Sequence, residues 1–267
     1  MEPLVASNGT GPVVAVDIGN TRTKVGRVTA GHCGCVGMEA FPTRELGARL
    51  LPAITSLLSA ETGVVPVVIA GVVDRAAERA GSLLAGAGFA VHRLTAQTAM
   101  PFSVRYERPE TIGVDRVANA LYAVSRFPGR AITIIGAGTA IVVDLVADRT
   151  FYGGAILPGI RLQFESLHRA TDALPLVAVS GSMEIPRLPA HSTRDCIAGG
   201  IVRGCAAALD ALVAGYAAED PAAVDRTVLA TGGDWELLAP LVKFKCTVIP
   251  DMTLAGIALS LPLLQIQ

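Results

Sequence analysis

The sequence has few aromatic residues and few charged residues for its length. Aromatic side chains make up 4% of the 267 residues and charged ones 17%, whereas hydrophobic residues make up 51%. This composition excludes intrinsic disorder, and the chain is long enough to bury a sizeable core. Because aromatic residues are scarce, we expect a core of Ala, Val, Leu and Ile. The length suits one large domain or two of medium size.

Neither sign of charge is in excess. Lys and Arg total 22, Asp and Glu total 23, and the formal net charge is −1. Without a basic field, we expect no binding to nucleic acid or to an anionic membrane. The first residues lack the features of a signal peptide, and apolar runs are interrupted before about 18 residues, so no membrane-spanning helix is predicted. A cytoplasmic protein is therefore expected.

The cysteines show no disulfide or zinc pattern. There are five of them, without a CxxC pair: Cys33, Cys35, Cys196, Cys205 and Cys246. An odd number argues against a disulfide framework and favours free thiols in a reducing compartment. Cys33 and Cys35 could form a metal or redox pair, but two cysteines inside a strand pattern are more often small apolar residues.

The most informative stretch of the chain runs from Val13 to Thr21. It opens with a short apolar run, rich in β-branched residues, that predicts a buried strand. A carboxylate, a glycine and two small polar residues follow, and β-branched residues resume around Val25 and Val28. The pattern predicts a strand, a tight turn and a returning strand.

The turn of this hairpin has the residues of a phosphate-binding loop. Gly19 has no Cβ to keep a phosphate from the backbone, whose N–H groups can donate to it together with the Asn20 and Thr21 side chains. Asp17, at the end of the strand, could hold Mg²⁺ directly or through water. The alternative from these residues alone is an ordinary hairpin turn, since Gly and Asn are common in turns.

The order of predicted elements occurs twice along the chain, each time as three meandering strands followed by alternating helices and strands. After the hairpin, the first half is predicted to contain a strand Cys33–Phe41, a helix Glu45–Ala60 with Thr43 as N-cap, a strand Val64–Ala70, a helix Arg75–Ala85 and a strand Gly88–Leu94. The second half is predicted to contain strands Ala131–Ile135, Ala140–Val146 and Phe151–Leu157, a helix Asp195–Tyr216, strands Thr227–Ala230 and Lys245–Ile249, and a helix Thr253–Leu264.

This duplication predicts the fold class. Hairpin links give antiparallel strands and helical crossovers give parallel ones, so each half is predicted to be a mixed five-stranded sheet flanked by helices. The fold is thus α/β and duplicated, and a ligand cleft is expected between the halves.

The duplicated order resembles the superfamily of actin, sugar kinases and Hsp70 ATPases, whose members hold ATP between two ribonuclease-H-like lobes. The predicted lobes are residues 1–116 and 117–267. Asp17-Ile18-Gly19-Asn20-Thr21 resembles the first phosphate hairpin of that superfamily, Gly138-Thr139 the second, and Thr231-Gly232-Gly233-Asp234 the adenosine turn.

Within the superfamily, the chain resembles the type III pantothenate kinase family, which includes the Bvg accessory factors. The motifs that carry the resemblance are Tyr106-x-x-Pro109-x-x-Ile112-Gly113-Val114-Asp115-Arg116, the stretch 153–159, the stretch 192–200 and the stretch 250–256. Each lies where the family has it, and the resemblance covers the chain from about Val13 to about Ala258.

The resemblance implies transfer of the γ-phosphate of ATP to the primary hydroxyl of pantothenate, the first step of coenzyme A synthesis. It also implies a homodimer, Mg²⁺ and a monovalent cation, K⁺ or NH₄⁺. The implied nucleotide-binding residues are Asp17, Ile18, Gly19, Asn20, Thr21, Arg22, Thr23, Lys24, Gly138 and Thr139, with Asp17 also at the metal. Lys24 has the alternative of a solvated lysine.

The implied substrate site is centred on Asp115, which would accept the proton of the pantothenate hydroxyl. Its alternative is an acid that only stabilises a helix N-terminus. Arg116 would pair with the pantothenate carboxylate, with Tyr106, Gly113 and Val114 beside it; the alternatives are a surface arginine and a loop aromatic.

The dimer is expected to form through the helix Asp195–Tyr216. Its small apolar face, which suits close helix packing, comprises Ile197, Ile201, Cys205, Ala208 and Leu209. Thr193 would then reach the substrate of the neighbouring subunit, with a helix cap as its alternative.

The second hairpin departs from the family pattern. The family usually has Asp-x-Gly-Thr-Ala followed by a Thr, whereas this chain has Gly136 and Val142 at the positions of the acid and the later Thr. Three hypotheses follow: an active kinase that uses Asp17 alone for metal, a degenerate paralogue that binds ligand without much transfer, and a nucleotide-gated interaction protein. The motif from Tyr106 to Arg116 argues against the third.

Overall fold

A computed structural model describes residues 11–29, 34–59, 61, 63–180, 183–219 and 226–265. The chain forms two compact units. Unit 1 comprises Met1–Gly129, Asp148–Phe151 and Asp251–Gln267, and unit 2 comprises Arg130–Ala147 and Tyr152–Pro250. The predicted lobe boundary after residue 116 stays a prediction.

Unit 1 is built on a mixed five-stranded sheet with the strand order β3-β2-β1-β4-β5. Its strands are β1 Val13–Ile18, β2 Arg22–Val28, β3 Cys35–Pro42, β4 Val67–Gly71 and β5 Val91–Arg93. The tight link makes β1 and β2 antiparallel, as are β2 and β3, whereas the helical crossovers make β4 and β5 parallel to β1. The predicted strand start at Cys33 lies outside the described residues.

Helices cover both faces of this sheet. They are α1 Leu46–Leu57, α2 Asp74–Gly86, α3 Val114–Arg126, α7 Met252–Leu259 and α8 Leu261–Leu264, numbered in chain order, with 3₁₀ turns at Thr43–Glu45 and Pro109–Thr111. Helix α1 ends at Leu57, before the predicted end at Ala60, which lies outside the described residues.

Strand β1 is buried on both faces of the sheet. The alternation of its side chains between the two faces decides where the candidate site lies. Val14, Val16 and Ile18 belong to the core that includes α1 and α2. Ala15 belongs to the core on the other face, with Val114 of α3 and Leu254 of α7 among its members. Because side chains alternate along a strand, Asp17 lies on the same face as Ala15, the face that α3 covers.

Unit 2 holds the second hairpin and most of a six-stranded sheet, with the strand order β11-β10-β7-β8-β9-β6. The strands of this sheet are β6 Ser103–Val104, β7 Ala131–Ala137, β8 Ala140–Ala147, β9 Thr150–Pro158, β10 Arg226–Thr231 and β11 Thr247–Val248. The extra strand relative to the five predicted is β6, a two-residue piece of the stretch predicted as loop. It pairs in parallel with Thr150 and Phe151, within unit 1.

Three helices complete unit 2: α4 Ile160–Arg169, α5 Thr193–Glu219 and α6 Trp235–Leu238. The face of α5 that was expected to form the dimer is in fact buried in the unit's own core. Ile197, Ile201, Cys205 and Leu209 are all members of that core. This part of the prediction is wrong, because the larger apolar side chains of the helix cover its own sheet and only Ala208 of the predicted face is partly exposed.

Helix α5 is also long and apolar enough to cross a membrane by length and composition. The span is Thr193–Ala218, 26 residues long, and 39% of its most apolar window is buried within the structure. No such helix was predicted from the apolar runs of the sequence. A core helix of a globular protein passes the same test.

Candidate active site

The first hairpin closes with Gly19 N donating to Arg22 O at 3.0 Å. Thr43, from the 3₁₀ turn after β3, braces the turn. Its N–H donates to Thr21 O at 3.0 Å, and its Oγ1 donates to Gly19 O at 2.8 Å. The prediction that Thr43 caps α1 is therefore wrong, since α1 is preceded by Glu45 and lacks a side-chain cap. The sequence gives no local sign of this bracing role.

The other residues of the predicted nucleotide-binding stretch differ in their exposure to solvent. Asn20, Thr21 and Arg22 are exposed at the turn. Ile18 and Thr23 are buried, and Thr23 Oγ1 lies 3.2 Å from Thr43 Oγ1. The exposed turn is the part of this stretch that can reach a ligand.

Asp17 and Lys24 form a cross-strand pair. They are direct partners in the antiparallel register of β1 and β2, which places their side chains on the same face. Desolvation and, to a lesser extent, the Asp115 carboxylate together raise the pKa of Asp17 to about 7, while the Lys24 ammonium acts in the opposite direction. Asp17 is thus a carboxyl whose charge needs a cation nearby.

Helix α3 presents Asp115 in its first turn. Gly113 is the N-cap residue, and Arg116 N donates to Asp115 Oδ1 at 3.0 Å. A Cβ at Gly113 would lie only 2.5 Å from that oxygen, so the folded-back carboxylate requires a glycine there. Burial raises the pKa of Asp115, against the hydrogen bond from Arg116 N and the Arg116 charge, which lower it.

The structure therefore brings Asp17 and Asp115, separated by almost a hundred residues in sequence, close enough that the charge of one shifts the pKa of the other. Both residues are half-buried and belong to unit 1. Two neighbouring carboxylates whose pKa values are raised are characteristic of acid–base and metal chemistry.

Arg116 is only 6% exposed, so it is not a surface arginine. Its guanidinium carbon lies 5.9 Å from the centre of the Tyr106 ring and 5.5 Å from that of Phe151. The two rings hold the guanidinium by cation–π contacts and restrict its rotamers. Tyr106 was predicted at this site; Phe151 was not, because it follows Tyr106 by 45 positions in an ordinary strand pattern.

Helix α7 packs tightly on α3 and fixes its position. A Cβ at Gly256 would lie 2.0 Å from Ala118 O, so this close approach is possible only with glycine. One turn earlier, Thr253 Oγ1 donates to Asn119 Oδ1 at 2.9 Å. Asn119 follows Asp115 by one helical turn on α3, so this contact stabilises the helix that carries the candidate base.

The second hairpin, in unit 2, is enclosed by backbone rather than by side chains. Gly138 N donates to Ala140 O at 3.0 Å, and Gly159 N donates to Thr139 O at 3.0 Å. A Cβ at Gly159 would lie 2.1 Å from Gly138 O, and one at Gly232, where φ is +104°, would lie 2.1 Å from Ala137 O. The motif at 153–159 and the turn at 231–234 therefore both pack against this hairpin.

Gly136 and Val142, the two departures from the family pattern, are direct partners in the register of β7 and β8. A Cβ at Gly136 would meet nothing within 4 Å, and its φ lies outside the left-handed region. Glycine is thus not required at this position, and the missing acid leaves open space.

Thr193 is exposed at the start of α5 and does not cap it. Ser192 is the cap, since Asp195 N donates to Ser192 Oγ at 3.1 Å and Ser192 Oγ donates to Asp195 Oδ2 at 2.8 Å. The structure therefore leaves the Thr193 hydroxyl outside the capping pair.

Among the described residues, no group of three or more His, Cys, Asp or Glu side chains is arranged to hold a metal ion. The pair Asp17 and Asp115 fits Mg²⁺ nonetheless, because Mg²⁺ is usually bound by one or two carboxylates together with water and substrate phosphates. These two carboxylates can therefore hold a Mg²⁺ ion whose remaining ligands are water and the phosphates of a bound nucleotide.

The chain is similar to known proteins of one family. The profile of the type III pantothenate kinase family matches residues 13–215. A type III pantothenate kinase of Chlorobium luteolum is 31% identical over 268 residues, which cover 96% of this chain and 95% of the relative. One of Christiangramia forsetii is 37% identical over 160 residues, which cover 60% of this chain and 63% of the relative.

Among solved structures, a conserved protein from Campylobacter jejuni, assigned to the Baf family of transcriptional activators, has a similar fold. The TM-score is 0.57 at 16% identity, and the match covers 94% of this chain and 98% of the other. Two mixed sheets, each with a glycine hairpin, define the class by its fold, a duplicated ribonuclease-H-like protein, and the family matches define it as a kinase that uses ATP. Within that class, the chain belongs to the type III pantothenate kinase family.

Proposed function

We propose that this kinase transfers the γ-phosphate of ATP to pantothenate and forms 4′-phosphopantothenate, the first step of coenzyme A biosynthesis. Membership of the type III pantothenate kinase family supports the substrate and the reaction. The structural observation that carries the proposal is the pair of carboxylates Asp17 and Asp115, held together on the α3 face of the unit 1 sheet.

In this proposal Asp115 is the catalytic base. It accepts the proton of the primary hydroxyl as the hydroxyl oxygen attacks the γ-phosphorus and the bond to the β,γ-bridging oxygen breaks. The raised pKa of Asp115 supports the role, since a general base works best with a pKa near the working pH. The packing of α3 on α7 through Thr253 and Asn119 keeps the base in position.

Arg116 would bind the pantothenate carboxylate. Its guanidinium is a planar fork that matches two carboxylate oxygens, and the rings of Tyr106 and Phe151 already orient it. Gly113 and Val114 would line the same pocket at the start of α3. Phosphoryl transfer depends mainly on such positioning.

Candidate nucleotide-binding residues lie in each unit. The proposed contacts are Asp17, Gly19, Asn20, Thr21, Arg22 and Lys24 in unit 1 and Gly138 and Thr139 in unit 2, whereas the buried Ile18 and Thr23 would support the turn from within the unit 1 sheet. Asp17 would hold Mg²⁺, which neutralises charge on the phosphates when bound. A monovalent cation, K⁺ or NH₄⁺, is proposed from the family alone, without an assigned residue.

A cytoplasmic homodimer is part of the proposal. Since Ile197 and its neighbours are buried in unit 2, the face of α5 left for a partner is the exposed small-residue face with Gly200, Gly204, Ala207 and Ala211. A Cβ at Gly200 or Gly204 would meet nothing within 4 Å, so a second helix has room to approach. Thr193, exposed at the start of this helix, would then contact the partner's substrate.

One observation favours a second candidate, a degenerate paralogue that binds nucleotide or pantothenate with little transfer. The pair Gly136 and Val142 offers no carboxylate at the second hairpin, where the family usually has one. If that carboxylate organises the metal, its loss weakens transfer while ligand binding remains.

The test is ADP release in a coupled assay with ATP, Mg²⁺, K⁺ and pantothenate. The active-kinase proposal predicts release that depends on pantothenate and disappears in Asp115→Asn. Binding of both ligands by calorimetry, without pantothenate-dependent release, would favour the degenerate paralogue. Absence of both binding and release would overturn the two candidates together.

A further inference from the structure

Unit 1 contains a cavity that is separate from the Asp17 and Asp115 carboxylates. Its volume is about 510 Å³, within the range of about 300–1,000 Å³ typical of small-molecule sites. Seven residues line it, of which three are arginines, Arg44, Arg75 and Arg79, and none is acidic. Because the chain as a whole has a net charge of −1, these three arginines are a local excess of positive charge.

The arginines are poorly compensated by acids. Arg44 has only a long contact of 3.8 Å with Glu45, and the described part of the chain offers no ion pair to Arg75 or Arg79. The acids nearest in sequence on α2, Asp74 and Glu78, are both engaged by Arg93, at 3.3 and 3.9 Å. The positive charge at the cavity therefore remains available to a ligand.

Backbone geometry adds to this potential. Helix α2 is 13 residues long and begins at the cavity, which is lined by Val73, Arg75 and Ala76. Its N-cap, Val73, provides no side-chain cap, and the acid of its first turn, Asp74, is paired with Arg93, so the backbone N–H groups at the helix start are left without a side-chain acceptor. Arg79 reaches from α2 across to α1, where a Cβ at Gly47 would lie 2.7 Å from its Nη2.

Residues that line the cavity, or lie next to its lining, are hydrogen-bonded to the first hairpin. Thr43, which lines it, donates to Gly19 O and Thr21 O of the hairpin turn. The turn that leads to Val73 is tied to β1 by Val72 N, which donates to Ile18 O at 3.1 Å. By contrast, the lining of a smaller cavity of about 180 Å³ in unit 2 includes an acid, Glu165, as well as its single arginine, Arg161.

We propose that this cavity, hereafter the arginine cavity, binds a small phosphorylated metabolite with at least two negative charges. Arginine forks, an uncapped helix start and the absence of acids favour phosphate groups, and the volume admits more than one of them. The site is distinct from the proposed ATP and pantothenate site, because its lining includes neither Asp17 nor Asp115.

The test is calorimetric titration of the full-length protein with inorganic pyrophosphate. The protein is first saturated with a non-hydrolysable ATP analogue, and Mg²⁺ is omitted because pyrophosphate chelates it. We expect about one equivalent to bind, and the double variant Arg75→Ala/Arg79→Ala to bind about tenfold or more weakly. Arg187→Ala is the matched control: Arg187 is exposed in unit 2, and its affinity change should stay within about twofold.

Three results would overturn the proposal: unchanged affinity in the double variant, equal loss in Arg187→Ala, or no binding once the nucleotide analogue is present. If the double variant does not fold, as judged by its thermal melt, the proposal is tested instead by chemical modification of the unsubstituted protein. Pyrophosphate should then protect Arg75 and Arg79, but not Arg187, from phenylglyoxal, with the modified peptides identified by mass. Equal modification of all three with and without pyrophosphate would contradict the proposal.

Discussion

The two hairpins of this protein share a backbone design but differ in chemistry. In unit 1, the cross-strand pair before the turn is Asp17 with Lys24, a carboxylate opposite an ammonium. In unit 2, the corresponding pair is Gly136 with Val142, with no polar side chain. The difference indicates that the pair before the turn carries charge in unit 1 but not in unit 2, where the carboxylate of the hairpin, Asp144 of β8, is buried.

The way each turn is held follows the same division. The turn of unit 1 is braced by the Thr43 side chain, whose hydroxyl donates a hydrogen bond to Gly19 O. The turn of unit 2 is enclosed by Gly159 and Gly232, whose missing Cβ atoms allow backbone to touch backbone. A change of charge should therefore affect unit 1 most, and a change of volume should affect unit 2 most.

The largest expected effect is on the charged side of this comparison. Asp115→Asn keeps the shape of α3 but removes the base, so turnover should fall by about 10²- to 10⁴-fold. Steady-state ADP release at saturating ATP and pantothenate measures it. A thermal melt within a few degrees of that of the unsubstituted protein is the control, and a variant with unchanged turnover would show that Asp115 is not the base.

The next effect is on volume in unit 2. Gly159→Ala places a Cβ 2.1 Å from Gly138 O, so it should destabilise the protein by about 1–3 kcal/mol and weaken nucleotide binding. Gly136→Ala, in the hairpin that Gly159 contacts, is the matched control, since its Cβ would meet nothing within 4 Å. Urea unfolding of both variants measures the difference, and equal stabilities would mean that the hairpin is not tightly enclosed.

Restoring a charge to unit 2 should have a smaller effect. Gly136→Asp fits, because the site is open and the backbone is not left-handed. If the acid helps to organise the metal, turnover should rise by about tenfold, with little change in the KM for pantothenate. A well-folded variant with equal or lower turnover would show that Gly136 does not limit the enzyme.

The smallest effect concerns pH. In the unliganded protein the pKa of Asp17 is raised from 3.8 to about 7, so the folded state binds more protons than the unfolded state between these values. This residue's contribution to stability is therefore greatest below about pH 4 and is lost as the pH rises to about 7. Because Asp17 is partly exposed, the loss should be on the order of 1 kcal/mol.

The measurement is urea unfolding of the metal-free protein and of Asp17→Asn at pH 5 and pH 7.5. The stability difference between the two proteins should shift in favour of the variant at the higher pH. A difference that is independent of pH would mean that the Asp17 carboxyl is not desolvated.

Much of the fold could be predicted from the sequence, because hydrophobic periodicity recurs in the same order in both halves. The hairpins, the crossover helices and the mixed sheets are confirmed, with β6 as an added strand. Strand β6 was missed because two residues, Ser103 and Val104, give no periodic signal. The role of Thr43 was missed because its partners lie more than 20 positions away in the chain.

The candidate site was predictable only where a motif is local in sequence. Asp17 and the group Gly113 to Arg116 could be named from short patterns, but their proximity depends on which face of β1 is covered by α3. Phe151 and the contact between Asn119 and Thr253 join distant segments, so no local pattern indicates them. The dimer face was wrong for a related reason: amphipathicity shows that a face is buried, but not against what.

The most direct test of the account is the product itself. A single incubation of the unsubstituted protein and of Asp115→Asn with ATP, Mg²⁺, K⁺ and pantothenate, followed by mass spectrometry, shows whether pantothenate gains one phosphate. The account predicts phosphopantothenate with the unsubstituted protein and little or none with Asp115→Asn. Pantothenate that stays unmodified by the unsubstituted protein, or equal product from both proteins, would contradict the assignment of the chemistry to the carboxylates of unit 1.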